Sequence, residues 1–422
     1  MRSLATAALL VCVAVPAEAQ SLNSRINDLF TFGDCGKPLC LSVGSGHGDH
    51  FIPAVQAGRT TVIGFVESSV GRSVASTPLS ATSSGTTFTI IGGLPVQSST
   101  SPGPIFGERA QTLGRGRFFL GAYVSQIAFT SLNGTPLDNI EFNFAHQDVG
   151  DTTYGIPEFE NDHIAVQLRM DMNITSAYLN ATWGVLDFMD VGVAIPFVRT
   201  TLDGSSTAQI LPFGNSTVHN FGGDPANPIL RATTRVTGSA SGIGDVVGRV
   251  KINLGQGKKF GAALLSEVRF PTGNENDLLG AGFTSVRALG IASAQFGDFA
   301  PHLNLGYLAR STATVNDAFL ATVGFDQLMA PWATFGAELI TSWQVGARKE
   351  TLPGDIIYTY PLQRRIPSTN VPNRRDELVN LSMGMKFRVR GGTVMVVNAM
   401  TPMRKTGMQP DWIWTAGLEG SF

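Results

Sequence analysis

Residues 411–422 read "DWIWTAGLEGSF". Successive side chains of an extended strand point to opposite faces. Trp412, Trp414, Ala416, Leu418, Gly420 and Phe422 therefore share one side, and Thr415, Gly417, Glu419 and Ser421 share the other. One side is wholly apolar; the other is mostly small or polar. A soluble sheet can carry one such strand over its core, so the ending takes its meaning from the rest of the chain.

The same texture runs back to Arg117. In "IGDVVGRVKINL" (243–254) Val246, Val250, Ile252 and Leu254 alternate with Asp245, Arg249, Lys251 and Asn253. In "KFGAALLSEVRF" (259–270) Phe260, Leu264, Val268 and Phe270 oppose Glu267 and Arg269, and in "DELVNLSMGMKFRV" (376–389) Val379, Leu381, Met383 and Phe387 oppose Lys386 and Arg388. "HIAVQLRMDMN" (163–173) sets Ile164, Val166, Leu168, Met170 and Met172 against Gln167, Arg169 and Asp171, and parity changes near Thr175, which predicts a bulge. Tight connections at 187–190, 255–258, 297–298, 327–331 and 390–392 alternate with long ones near 132–161, 203–239 and 347–375. Tight turns on one rim and unequal loops on the other describe a transmembrane antiparallel β-barrel of about 12 strands, or 14 if a hairpin near 86–99 joins the wall. Both barrel ends then fall on the periplasmic side. Trp183, Phe197, Phe260, Phe270, Phe296, Trp343 and Trp412 lie near predicted strand ends, as interfacial girdles do. A secreted sandwich or solenoid would also alternate, but it would not explain the two unequal rims.

The opposite end of the chain agrees with export. "MRSLATAALLVCVAVPAEAQ" has a basic Arg2, an apolar run and Ala17-Glu18-Ala19, a signal cut before Gln20. Cys12 is not a lipoprotein cysteine, because Val11 stands where a small residue is needed. With 43% hydrophobic and 15% charged residues the chain is apolar for an exported protein, yet no later run approaches the roughly 20 residues of a membrane helix. Its 48 glycines argue against long helices. A formal net charge of -2 gives no reason to expect nucleic acid. Cys35 and Cys40 in "CGKPLC" are close enough to pair as a structural disulfide. The chain thus divides into a signal (1–19), a Ser-, Gly- and Pro-rich segment (20–116) and the barrel (117–422).

If the apolar faces meet lipid, the opposite faces line the lumen. The lumen candidates are Arg169, Asp171, Asp245, Arg249, Lys251, Glu267, Arg269, Arg287, Arg310, Glu338, Lys386 and Arg388, joined by Glu419. Pairing across the wall is their structural reading; holding a plug or tuning passage is the functional one. Trp412, Trp414, Leu418 and the terminal Phe422 resemble the C-terminal signal by which outer-membrane barrels are recognised for assembly. Expected partners are therefore outer-membrane lipid and the barrel-assembly machinery.

Particular motifs resemble a family. "SGIGDVVGRVKINL" (241–254), "GAALLSEVRFPTGNENDLLGAG" (261–282), "GERAQTLGRGRFFLG" (107–121) and "DVGVAIPFVR" (190–199) look like the outer-membrane transporter-like proteins of the meta-pathway phenol-degradation family. The resemblance covers roughly 105–422 and implies a barrel related to hydrophobic-compound channels, including long-chain fatty-acid and aromatic-hydrocarbon transporters. It carries no substrate residue over by position. Such a channel needs a weakly apolar pocket near the outer rim and an obstruction that stops it being an open aqueous pore. The segment before Arg117, with apolar pieces at 51–55, 62–66 and 88–94, is either that obstruction or a periplasmic tail.

No catalytic or cofactor motif emerges. There is no Gly-x-Ser-x-Gly elbow, "GHGDH" (46–50) reads as a glycine-rich loop before it reads as a metal site, and "GIGDVVG" continues as a strand without a helix. The expectation is a non-enzymatic outer-membrane channel of a Gram-negative bacterium for passive uptake of small hydrophobic or aromatic solutes. A structural or adhesive barrel and a non-specific porin are the alternatives.

Overall fold

The computed structural model describes residues 20–32, 41, scattered positions between 51 and 64, the backbone of Phe88–Ile91 and Leu94–Gln97, and residues 103–146, 161–214, 218–224, 226–349, 352–389 and 392–422. The signal segment, Cys35, Cys40, the 46–50 motif, Val62 and Val66 lie outside the described residues.

Twelve antiparallel strands close into a barrel. In chain order they are β1 (Phe118–Leu132), β2 (His163–Leu186), β3 (Met189–Leu211), β4 (Arg231–Ile243 continued as Val247–Gln256), β5 (Phe260–Arg269) and β6 (Ser285–Ala294). They continue with β7 (Phe299–Arg310), β8 (Ala318–Ala330), β9 (Ala333–Gln344), β10 (Leu378–Arg388), β11 (Val394–Pro402) and β12 (Met408–Ser421). The seam joins β12 to β1, from Met408↔Leu132 to Ser421↔Phe119. Closure leaves no unpaired edge for lipid to meet. The Phe88–Ile91/Leu94–Gln97 hairpin pairs only with itself, so the wall keeps twelve strands. Phe118 and Phe422 exchange backbone hydrogen bonds at the short-turn rim, the periplasmic side.

The wall is uneven in height. β5 and β6 have 10 residues each, enough for a tilted strand to cross an apolar band roughly 25 Å tall. β2 and β3 have 24 and 23 residues and rise well beyond it. Their extensions, with β1 and the first part of β4, form a tower above the long-loop rim. The stretch 203–239, expected to be a loop, is mostly ladder: Asp203 pairs with Thr237 and Gln209 with Arg231. Its Thr/Ser-rich composition hides an alternation of small inward and polar outward residues, which reads as a loop when the eye looks for apolar positions.

Within β2 the even residues point inward along the entire strand. In the lower half the inward residues are polar, Ser176, Tyr178, Asn180 and Thr182, while Leu179 and Trp183 stand outward, 64% and 46% exposed. In the upper half Ile164, Val166, Leu168, Met170, Met172 and Ile174 are buried inward, and Gln167, Arg169 and Asp171 are exposed outward. The ladder to β3 runs without a shift from His163↔Leu211 to Gly184↔Asp190, so there is no bulge at Thr175. What changes there is the surroundings, from lipid outside to water outside.

Neighbouring strands switch at the same level. On β1 the outward Val124 is followed by Gln126, and on β3 the outward Phe197 is followed by Arg199. Gln126 and Arg199 both pair with Thr175. Arg169 and Asp171 are therefore not lumen residues: they are on the water-facing outside of the tower. Below the switch, the expected girdle residues Trp183, Phe197, Phe260, Phe270, Phe296, Trp343 and Trp412 are all exposed on the outer face. Phe118 stacks on Trp183 with ring centroids 6.0 Å apart.

The tower encloses a hydrophobic core contributed partly by the N-terminal segment. Helix α1 (Leu22–Asp28) starts at Ser21, whose Oγ accepts from the Ser24 N–H at 3.2 Å. It buries Leu22 and Ile26. A Cβ at Gly238 on β4 would collide with Leu22 and Arg25, so glycine sets how closely the helix approaches the wall. Beyond the helix, Phe30 meets Phe142 and Phe144 edge-on at 6.3 and 6.2 Å, and Phe51 lies 5.0 Å from both His146 and His219. Each fully buried side chain of this size contributes roughly 1.5–3 kcal/mol.

Candidate functional site: the lumen strap and the cavity above it

Inside the membrane band the inward faces carry the charges that a lipid-facing wall cannot. Arg249, Lys251, Glu267, Arg269, Glu338 and Lys386 are buried there, and Arg287, Arg310 and Arg388 are half-buried. Three of them, Arg249, Lys251 and Glu338, converge on one segment. Ile105–Leu113 crosses the lumen and descends to the periplasmic rim, where it leads into β1. We call it the strap.

Its backbone and side chains are bound from several strands. Glu338 on β9 accepts from the N–H groups of Ile105, Phe106 and Gly107 at 2.9–3.2 Å. Asn304 on β7 accepts from the Glu108 N–H at 2.8 Å and donates back to the Glu108 carbonyl at 2.9 Å. Ser293 on β6 accepts from the Ala110 N–H at 3.0 Å, Asn253 on β4 donates to the Ala110 carbonyl at 2.7 Å, and Asp190 on β3 accepts from the Leu113 N–H at 3.0 Å. Gly107 is required by proximity, since a Cβ there would collide with His302.

Two strap side chains complete the lumen's charge pairing. The Glu108 carboxylate lies 2.9 Å from Lys251 Nζ and 3.7 Å from Arg249, and the Arg109 guanidinium pairs with Asp326 on β8. Glu267 on β5 is shared by Arg249 and Arg287. On the far wall Lys386 lies 2.8 Å from Glu419, which also accepts from Tyr123. Such pairing is what lets these groups be buried at all, because an uncompensated buried charge costs several kcal/mol.

Asp245 has a different place. It sits at the break in β4 and accepts from the Gly273 and Ala281 N–H groups at 3.1 and 2.8 Å, tying down the outer loop that follows β5. That contact gives the "GxGD" and "FPTG…LLGAG" motifs a shared physical role. Arg388 lies at the periplasmic rim, where its N–H bonds Trp332 O at 2.8 Å. Glu108, Arg109, Asp326 and Asn304 are site residues that strand parity did not single out. For Glu108 and Arg109 a signal existed in "GERAQTLGRG", which reads as a motif but has no period.

Above the strap, on the low side of the wall, lies a cavity. Phe106 and Glu108 form part of its lining, together with the outer ends of β5–β10. Arg269, Arg287 and Arg310 line it together with Leu308, Leu320 and Ile340. Outside the membrane band, the loop at 352–377 locks onto the tower: Tyr358 donates to the Asp162 carbonyl at 3.1 Å, and Arg364 donates to the Asn161 carbonyl at 2.6 Å. Burial pushes the Tyr358 hydroxyl up to about 12. Burial, followed by the nearby Arg364 charge, holds His163 below the ordinary histidine value.

Residues 162–356 match the family model described as putative MetA-pathway of phenol degradation. The matched stretch takes in the "GxGD" and "FPTG" motifs and the strands β2–β9, whereas the strap precedes it. No curated protein matches the chain. Among solved structures, an outer membrane channel from Pseudomonas putida F1 is similar at 11% identity and TM-score 0.42, over 74% of this chain and 98% of its own. A FadL homologue from Pseudomonas aeruginosa aligns at 9% identity and TM-score 0.29, over 73% and 90%. A TodX monoaromatic hydrocarbon channel mutant aligns at 9% identity and TM-score 0.31, over 73% and 89%. Likenesses this distant do not bear on what the chain carries.

Proposed function

We infer that the protein is a passive outer-membrane channel for small hydrophobic or aromatic solutes, with the strap as the obstruction that keeps it from being an open aqueous pore. The observation that carries this reading is the stacking of a part-apolar cavity at the outer mouth directly over a strap bound across the lumen. A solute would leave the lipopolysaccharide side for the cavity and pass the strap when that segment shifts. Concave, part-apolar sites with a few placed polar groups suit such ligands. The residues 20–116 act as a lumen plug in this reading.

The test uses asymmetric vesicles with a lipopolysaccharide outer leaflet and measures toluene entry together with single-channel conductance in planar bilayers. Faster toluene entry with little conductance from the intact chain, and large conductance after removal of 20–116, is the expected result. Large steady conductance from the intact chain would make it a non-specific porin. Neither entry nor conductance from either form would leave a structural barrel.

A further inference from the structure

The cavity's lining is not that of a site for a neutral hydrocarbon alone. Its wall carries three guanidinium groups, Arg269, Arg287 and Arg310, and two carboxylates, Glu108 and Glu267. Both carboxylates are already engaged by cations. Glu267 is shared between Arg249 and Arg287, and Glu108 is held by Lys251 with Arg249 nearby. The local balance is therefore positive in a partly enclosed, low-dielectric space, where a fixed cationic excess acts with less screening than in water. Arg287 keeps 28% of its side-chain surface and can meet a solute.

Cationic and apolar groups share the lining. The three arginines come from the outer ends of consecutive strands, β5, β6 and β7, with Leu289 and Leu308 beside them, and Leu320 and Ile340 follow on β8 and β9. An occupant thus meets charge and hydrocarbon together. Guanidinium groups favour carboxylates because two parallel N–H donors match two oxygens.

We propose that this cavity is a binding site for small organic acids, a carboxylate on an apolar or aromatic body, with Arg287 and Arg310 receiving the carboxylate and Leu308, Leu320 and Ile340 the ring. The proposal rests on the channel reading above and narrows its solute class. The carboxylate enters at the outer mouth and is held above the strap until that segment shifts. A charge-assisted hydrogen bond corresponds to roughly tenfold or more in affinity, so an acid is selected over its neutral counterpart by at least that factor.

Titration calorimetry on the detergent-solubilised full chain, with sodium benzoate and benzyl alcohol as probes, tests this. Benzoate should bind roughly tenfold tighter than benzyl alcohol. Its affinity should weaken several-fold as salt rises from low ionic strength to ~0.5 M, while that of benzyl alcohol stays nearly flat. Arg287→Gln and Arg310→Gln should each cost benzoate roughly tenfold and leave benzyl alcohol within about twofold. Equal or tighter binding of the alcohol would overturn the acid class yet keep the channel reading. No binding of either probe, with no toluene entry in the vesicle assay, would remove both. Should the arginine variants fail to show the heat-modifiable gel shift of a folded barrel, the salt series on the native chain decides alone, and a flat benzoate affinity overturns the proposal.

Discussion

β2 crosses two environments with one parity. Below Thr175 it is a membrane strand, polar within and apolar without; above it the same even-numbered face is an apolar core and the odd face is polar. The two halves share one backbone and one unbroken register to β3, while on the other side β2 passes from β1 to Ile140–Ala145, so the difference comes from what each face touches. A β-strand records its surroundings twice over, once on each face, and reading one face alone mistakes the tower for membrane wall.

The contrast can be broken most forcefully inside the lumen. Asp326→Ala leaves Arg109 buried without its carboxylate, which costs about 3–5 kcal/mol of strap attachment. Conductance steps should appear in a barrel that still folds; unchanged silence would show that the strap stays bound without this pair. Next in size, Leu168→Ala in the tower core should cost about 2–5 kcal/mol, read as earlier urea unfolding or protease entry in the tower. Its lower-half counterpart, Ser176→Ala, should change stability by no more than about 1 kcal/mol.

On the outer face the ranking reverses. Leu179→Arg places a cation against lipid and should cost about 2–4 kcal/mol near the bilayer midplane, with loss of the heat-modifiable folded band. Arg169→Leu, on the same face ten residues higher, should stay within about 0.5 kcal/mol. If Arg169→Leu proved as damaging as Leu179→Arg, the tower would not be standing in water. The smallest effect concerns pH. His163 is held below its ordinary value of 6.5, so the unfolded chain takes up a proton more readily than the folded one. Tower stability is then fully present above about pH 6.5 and declines as pH falls toward the lower folded value. His163→Gln should flatten that slope in pH-dependent proteolysis.

The barrel was legible because lipid imposes a strict rule, apolar outward on the strands it touches; β6 and β10 obey it residue by residue, and β5 does with the one exception of Ser266. Where lipid ends, that rule stops, and the alternation of Ile164–Met172 carries the opposite meaning with the same pattern. The parity change at Thr175 was a true signal with a different cause: a boundary between solvents, not an inserted residue. The Thr/Ser stretches at 203–211 and 231–239 were hidden because small residues over a helix look like a loop. The strap escaped strand reading altogether. Glu108 and Arg109 are neighbours in sequence, but their partners Lys251 and Asp326 are brought to them only by closure of the ring.

That closure also constrains the order in which the molecule can be made. Helix α1 lies in the outer tower, β1 begins at the periplasmic rim, and the strap runs down to β1 inside a ring sealed by β12 against β1. Passing a folded helix and its following chain up a finished ring would demand that every strap contact form last, through a channel those contacts fill. If the last seam to zip is the one between the terminal strand and β1, the N-terminal segment can be laid in sideways while the sheet is still open. The residue that ends the chain, Phe422, is then the latch on a compartment already loaded.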